Sequence, residues 1–145
     1  MGLFYSKIGK QLYTFSINTN SRCELISVDH LLTESIQKSH LSEGALIAFV
    51  PHTTAGITIN ENADPAVKHD LLISLERKIP FSEGYTHIEG NSAAHIKTTL
   101  VGSSVLVPVS GGRLQLGTWQ SVFFAEFDGP RRRSLWVTTL SGQPD

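Results

Sequence analysis

The stretch spanning residues 104–140 constrains the fold most, because it holds four apolar segments separated only by short turns. Residues 104–109 and 113–117 flank Gly111-Gly112, a dipeptide that takes the positive φ of a tight hairpin without steric cost. Residues 119–127 and 134–140 flank the turn DGPRRR in the same way. Parallel neighbours need a crossover of about a dozen residues or more, so the pattern predicts hairpin-connected strands in a mainly antiparallel sheet.

Upstream, strands mix with helices. Residues 11–18 alternate, with Tyr13, Phe15 and Ile17 on one face and Thr14 and Ser16 on the other, which predicts a half-buried first strand. Ser27 is placed to cap a helix whose Val28, Leu31, Leu32 and Ile36 form an apolar stripe ending near Ser39. Residues 45–50 are a continuous apolar run, short enough for a strand buried on both faces. Asp64-Pro65 predicts a second helix, with Asp accepting first-turn amides and Pro where no amide is needed. Its Val67, Leu71, Leu75 and Ile79 recur every four residues and are expected to bury one face before Pro80 stops it. A third helix is expected after Asn91, through Ala94, Ile96 and Leu100, with Gly102 as its exit. Strands outnumber helices, so the expectation is an α+β fold: a single compact domain over residues 1–145, with mainly antiparallel sheets and about three helices.

Composition narrows the functional classes. A chain of 145 residues, 40% hydrophobic and 17% charged, suits one domain with a sizeable core. A formal net charge of −1 provides no basic field for a nucleic-acid backbone, so the expected partner is a small molecule rather than a nucleic acid. The single cysteine, Cys23, has no internal disulfide partner, and the N-terminus reads neither as a leader nor as a membrane span. A cytoplasmic location without membrane attachment is the expectation.

Chemistry gathers in three segments. In PHTTAGITINENADP the run Gly56-Ile57-Thr58-Ile59 reads as a buried strand, bracketed by His52, Thr53 and Thr54 on one side and Asn60, Glu61, Asn62 and Asp64 on the other. In YTHIEGNSAAHIK the pattern puts Tyr85, His87 and Glu89 on one face of a strand, with His95 early on the following helix. His52, His87 and His95 are thus three candidate ligands, and three histidines with an open position suit a catalytic zinc. Glu61, Asp64 and Glu89 are candidates for acid–base work or for a harder cation such as magnesium, although capping alone accounts for Asp64. Thr53, Thr54, Lys97, Arg113 and the run Arg131, Arg132, Arg133 are candidates for gripping a phosphate. In GGRLQLGTWQ, Arg113 stands beside a glycine turn, and Trp119 and Gln120 offer an aromatic wall and a two-sided amide, or else core and surface. There is no Walker loop, GxGxxG fingerprint or GxSxG elbow.

Taken in order, PHTTAGITINENADP, HIEGNSAAHIK, GGRLQLGTWQ and EFDGPRRR resemble the secondary thiamine-phosphate synthase family, also called YjbQ-like, over nearly the whole chain. The resemblance implies a compact α+β fold assembled as a homotrimer, with the site at or near the subunit boundary. It implies a low, secondary activity joining a pyrimidine diphosphate to a thiazole phosphate, giving thiamine phosphate and pyrophosphate. The matching positions are His52, Thr53, Thr54, Asn60, Glu61, Asn62, Asp64, His87, Glu89, His95, Lys97, Arg113, Gly117, Thr118, Trp119 and Gln120. Asn91 stands where the family commonly has a further Asp. The leading expectation is an enzyme on a small phosphorylated substrate: His52, Glu61, His87, Glu89 and His95 carry the chemistry, His52, His87 and His95 hold a divalent metal, zinc or magnesium, and the remaining polar positions, Gly117 and Gln120 among them, bind substrate. The alternatives are a zinc-dependent hydrolase with Glu61 as base, and a non-catalytic trimeric ligand-binding protein.

Overall fold

Alternating burial along the strands organises the molecule into two facing sheets. The computed structural model describes residues 11–142. In chain order its elements are β1 (Leu12–Asn18), β2 (Glu24–Ser27), α1 (Asp29–Ser39), β3 (Gly44–Phe49), β4 (Ala55–Glu61), α2 (Pro65–Lys78), α3 (Ser92–Val101), β5 (Ser104–Ser110), β6 (Arg113–Leu114), β7 (Gln120–Glu126) and β8 (Arg132–Ser141). One sheet has the order β1-β8-β3-β5-β6 and the other β2-β7-β4. Every pairing is antiparallel, in a single compact α+β domain.

The core lies between the sheets. Leu46, Ala48, Val50, Val107, Val109, Leu135 and Val137 of the larger sheet and its exits join Ile57, Val122 and Phe124 of the smaller, with Leu32 and Ile36 of α1 closing one end. The other face of the smaller sheet is covered from within the chain, where Ala94 of α3 and Leu75 of α2 meet Ala125 and Phe127. The alanines let α3 lie close to the sheet.

Several local expectations are corrected. β3 is not buried on both faces: Leu46 and Ala48 point inward, whereas Ile47 is half-buried and Phe49 is exposed beside Trp136. The α1 N-terminus has no side-chain cap. Ser27 ends β2, and the Asp29 carboxylate reaches across to Ser121 Oγ at 2.7 Å and the Val122 amide at 2.8 Å. No residue of α2 is fully buried, so Val67, Leu71, Leu75 and Ile79 form a half-covered stripe. The inward face of α3 is Ala93, Ala94, Lys97 and Thr98, while Ile96 and Leu100 are exposed. Residues 85–89 form no strand: positive φ at Gly84 and Gly90 curls the segment into a loop. The turn DGPRRR does not close a hairpin, because β7 pairs with β2 and β4 while β8 pairs with β1 and β3. It crosses between sheets.

The β5–β6 turn does contain Gly111 and Gly112 at φ 58° and 69°. Asp64 does cap α2, accepting the Ala66 amide at 2.9 Å. No helix among the described residues is long and apolar enough to cross a membrane.

Candidate functional site

The strand exit after β3 and the helix α3 face each other across a groove. Two recesses, of about 560 and 370 Å³, share His52, Thr53, His95 and Ser103 as a common waist. Glu89, Asn91, Arg131 and Arg133 line the larger recess, and Thr98, Thr99 and Gly102 line the smaller. Asn91, His95 and Thr98 recur at i, i+4 and i+7, so one stripe of α3 and its N-terminal flank faces the groove. A third recess of about 520 Å³, holding Tyr85, Thr86, His87, Ser92 and Ile96, lies on the other side of His95.

Close backbone contact holds the groove together. Gly102 carbonyl accepts the Ile57 amide at 3.0 Å, and Ser103 carbonyl accepts the Val50 amide at 2.8 Å. This draws the C-terminal end of α3 onto β4, and it requires glycine at position 56, where a Cβ would lie 2.5 Å from the Gly102 oxygen.

Behind the groove stands a buried charge network. Arg133, 4% exposed, donates from Nε to Glu126 Oε2 at 2.8 Å and from its guanidinium to Glu126 Oε1 and Thr54 Oγ1. Glu126, 0% exposed, also accepts the Thr19 hydroxyl at 2.9 Å and the Phe127 and Asp128 amides. Burial alone would push the Glu126 carboxyl up. The hydrogen bonds from Arg133, the Asp128 amide and Thr19 outweigh it and hold the group below its usual range. The Ser134 amide donates to His52 Nε2 at 2.9 Å. Burial, and then the Arg133 charge, lower the His52 pKa.

The other expected residues are scattered over the molecule. His87 approaches His95 with ring centroids 5.3 Å apart, edge to face, and its Nε2 lies 3.9 Å from Glu89 Oε2. Among the described residues no three of His, Cys, Asp and Glu gather closely enough to hold a metal ion, so the three histidines do not form one ligand set. Lys97 is 2% exposed and is bonded to Glu76, tying α3 to α2 rather than reaching into the groove. Thr54 is likewise buried against Arg133.

Glu61, Asn60, Asn62, Asp64, Gly117, Thr118, Trp119 and Gln120 collect at the opposite end of β4, where Glu61 pairs with Gln120 and Asn60 with Ser121. Six residue steps from Ala55 to Glu61 span about 20 Å, so this end lies a full strand length from the β4 end that follows His52 and Thr53. There, the Asn62 amide donates to the Trp119 carbonyl, Asn62 Nδ2 donates to Ser121 Oγ, and the Gly117 amide donates to Gln120 Oε1. Trp119 is exposed rather than core. Arg113 is exposed on the edge strand β6 and lines none of the three recesses.

Sequence reasoning passed over Ser103, Ser134 and Thr98, and left the three arginines unranked. Glu126 carried a usable signal, because it alternates with Val122 and Phe124 and so points inward, where a carboxylate calls for a buried cation. Asn91 Oδ1 and Thr98 Oγ1 are buried without a hydrogen-bond partner among the described residues, and both belong to the groove-facing stripe. Such atoms are rare unless a ligand or water completes them.

A family model described as "UPF0047 protein YjbQ-like" matches residues 13–142. The UPF0047 protein of Methanocaldococcus jannaschii is 52% identical over 131 residues, covering 90% of this chain and 95% of that protein. The UPF0047 protein YugU of Bacillus subtilis is 47% identical over 130 residues, covering 89% and 98%. A crystal structure of an uncharacterized conserved YjbQ/UPF0047 protein from Clostridium acetobutylicum superposes with a TM-score of 0.87 at 45% identity, over 88% of this chain and 99% of that one. A hypothetical protein from Aeropyrum pernix K1 gives 0.86 at 33% identity, over 91% and 99%.

Proposed function

The chain belongs to the UPF0047 YjbQ-like family, and we propose that it is a small-molecule enzyme working in the groove between His52 and His95. The observation that carries this reading is the waist: two recesses meet at two imidazoles and the hydroxyls of Thr53 and Ser103. That arrangement suits a transfer, with one reactant in each recess and the bond change between them. Its most concrete form is a thiamine-phosphate synthase reaction of low rate. The C–O bond of the pyrimidine diphosphate breaks, pyrophosphate leaves with the electron pair, and the thiazole nitrogen captures the cationic methylene. Arg131 at the rim and the hydroxyl donors would stabilise the leaving charge. Incubating the purified protein with the two phosphates should give thiamine phosphate above a heat-killed control. No product with magnesium, manganese or zinc present would refute the synthase form.

A zinc-dependent hydrolase is the second reading: the His87–His95 approach and the Glu89 carboxylate give a partial ligand set, which the described residues of one chain do not complete. Glu61 has no part in that set within one chain, because it stands at the far end of β4. Metal analysis of protein purified without a histidine tag separates the two: stoichiometric zinc with turnover of simple phosphate esters favours the hydrolase.

Homotrimer assembly completes the proposal. Leu12, Ile47, Phe49, Leu106, Trp136 and Leu140 line the outer face of the larger sheet, five of them exposed, with Phe49 and Trp136 stacked at 5.9 Å. Water is a poor neighbour for such a face. Phe49 also lines the groove, so a copy docked there would stand at the rim of the site.

A further inference from the structure

The loop from Pro51 to Thr54 is held from two strands at once. The Phe127 amide, just past β7, donates to the Thr54 carbonyl at 3.2 Å. From β8, Arg133 donates to the same carbonyl at 3.2 Å and to Thr54 Oγ1 at 2.8 Å. The next residue, Ser134, donates its amide to His52 Nε2 at 2.9 Å. Glu126, fully buried, fixes the guanidinium that fixes the loop.

That last amide bond decides the proton on His52. A neutral imidazole carries one N–H and one lone pair. A backbone amide can only donate, so the Nε2 lone pair is spent on Ser134 and the ring proton sits on Nδ1. Metals and transferable protons both need a lone pair. The nitrogen left for the groove has none.

We propose that His52 serves the groove as a fixed Nδ1–H donor to an oxygen of the ligand, and that Arg133, Glu126 and Thr54 are positioning residues that lock this tautomer. The ligand atom is therefore an acceptor, such as a phosphate oxygen. His52 is neither the metal ligand nor the general base, which leaves acid–base work at the waist to His95. The inference rests on the groove being the binding site. The tautomer, however, belongs to the free protein and is measurable without substrate or turnover.

The test is NMR of protein carrying 15N-labelled imidazoles near neutral pH, with the His52 resonances identified by their loss in His52→Gln. The expected spectrum has the proton on Nδ1 and an unprotonated Nε2, neither altered by an equivalent of zinc. Inorganic phosphate should shift Nδ1 and leave Nε2 in place. A proton on Nε2, or zinc displacing the Nδ1 proton, would overturn the donor assignment. The expected tautomer with no response to phosphate would overturn the phosphate-oxygen role and leave the synthase assay to be judged separately. In Thr54→Val, which keeps the shape but removes an acceptor from Arg133, a mixture of tautomers is expected. A purely Nδ1-protonated ring in a folded Thr54→Val protein would overturn the positioning role.

Discussion

Replacing Gly56 by alanine probes the contact that holds the groove closed. The added methyl would lie 2.5 Å from the Gly102 carbonyl oxygen and 3.3 Å from Val101 Cγ1. Ordinary contact begins at 3.4 Å, so the end of α3 must retreat by about 0.9 Å, the difference of the two distances. The obstacle is backbone, and no rotamer relieves it. Overpacking of this kind costs about 1–3 kcal/mol. Weakening the Ile57 bond to the same carbonyl adds about 0.5–1.5 kcal/mol. The stiffer unfolded chain of the alanine variant returns about 0.4–1 kcal/mol. The net loss is centred near 2 kcal/mol, which for a chain of this length lowers Tm by about 6–8 °C. Thermal unfolding reads that fall, and hydrogen exchange at the Ile57 amide reads its local origin. Because His95 and Thr98 travel with α3 while His52 and Thr53 do not, a displacement of about 1 Å should also cost about 10²-fold in activity. A Tm within about 1 °C of the parent, with the Ile57 amide equally protected, would refute the argument.

Glu126 supplies a pH prediction. Its folded pKa lies below the usual carboxylate range because hydrogen bonds from Arg133, the Asp128 amide and Thr19 outweigh burial. Its contribution is therefore present above the unfolded pKa and lost as pH falls through the folded value. Glu126→Gln should lower stability at neutral pH and flatten its acid decline, as read by urea melts across pH. Lys97→Met should leave Tm little changed, since Glu76 regains water, whereas Glu76→Ala should lower it by leaving the Lys97 charge buried alone. Lost ligand binding with an unchanged fold in Lys97→Met would return Lys97 to the site. If the outer sheet face is a subunit contact, Leu106→Glu and Trp136→Glu should lower the mass seen by light scattering towards that of a monomer, and an unchanged mass would remove that face as the contact.

What sequence made legible was what neighbours in the chain decide. Alternation placed Tyr13 and Ile17 inward, Asp64-Pro65 opened a helix, and Gly111-Gly112 turned a hairpin. The failures depend on distant partners. Asp29 is spent on Ser121 and Val122, more than ninety positions away, which no local cap pattern reveals. DGPRRR looks like any hairpin turn until β8 is seen between β1 and β3. The candidate groove was legible at the strand exit, where His52 and Thr53 follow an apolar run. Lys97 was misplaced because the apolar face of α3 was drawn through Ile96 and Leu100. The small residues Ala93 and Ala94 mark the true inner face, and Lys97 lies one turn further along it.

The motif PHTTAGITINENADP also misleads by its brevity, since its two polar ends lie at opposite ends of β4, about 20 Å apart by strand rise. Along β7 and just past it, Ser121 to Phe127 are all buried within this chain, so this strand leaves no face for a partner. Exposed apolar residues lie instead on the outer face of the larger sheet, which meets the groove at Phe49. If Glu61 and His95 act on one substrate, they must therefore come from different copies. In a cyclic trimer each junction would pair His95 of one copy with Glu61 of the next. Glu61→Gln and His95→Ala would each be inactive alone, yet random mixing in equal amounts would leave about a quarter of the junctions with both residues intact, one copy in two being right on each side. Co-expression of the two variants under separate tags, with mixed trimers verified by native mass spectrometry, should recover about that fraction of the parental rate. Mixed trimers without activity would show that Glu61 and His95 do not share a site across the boundary.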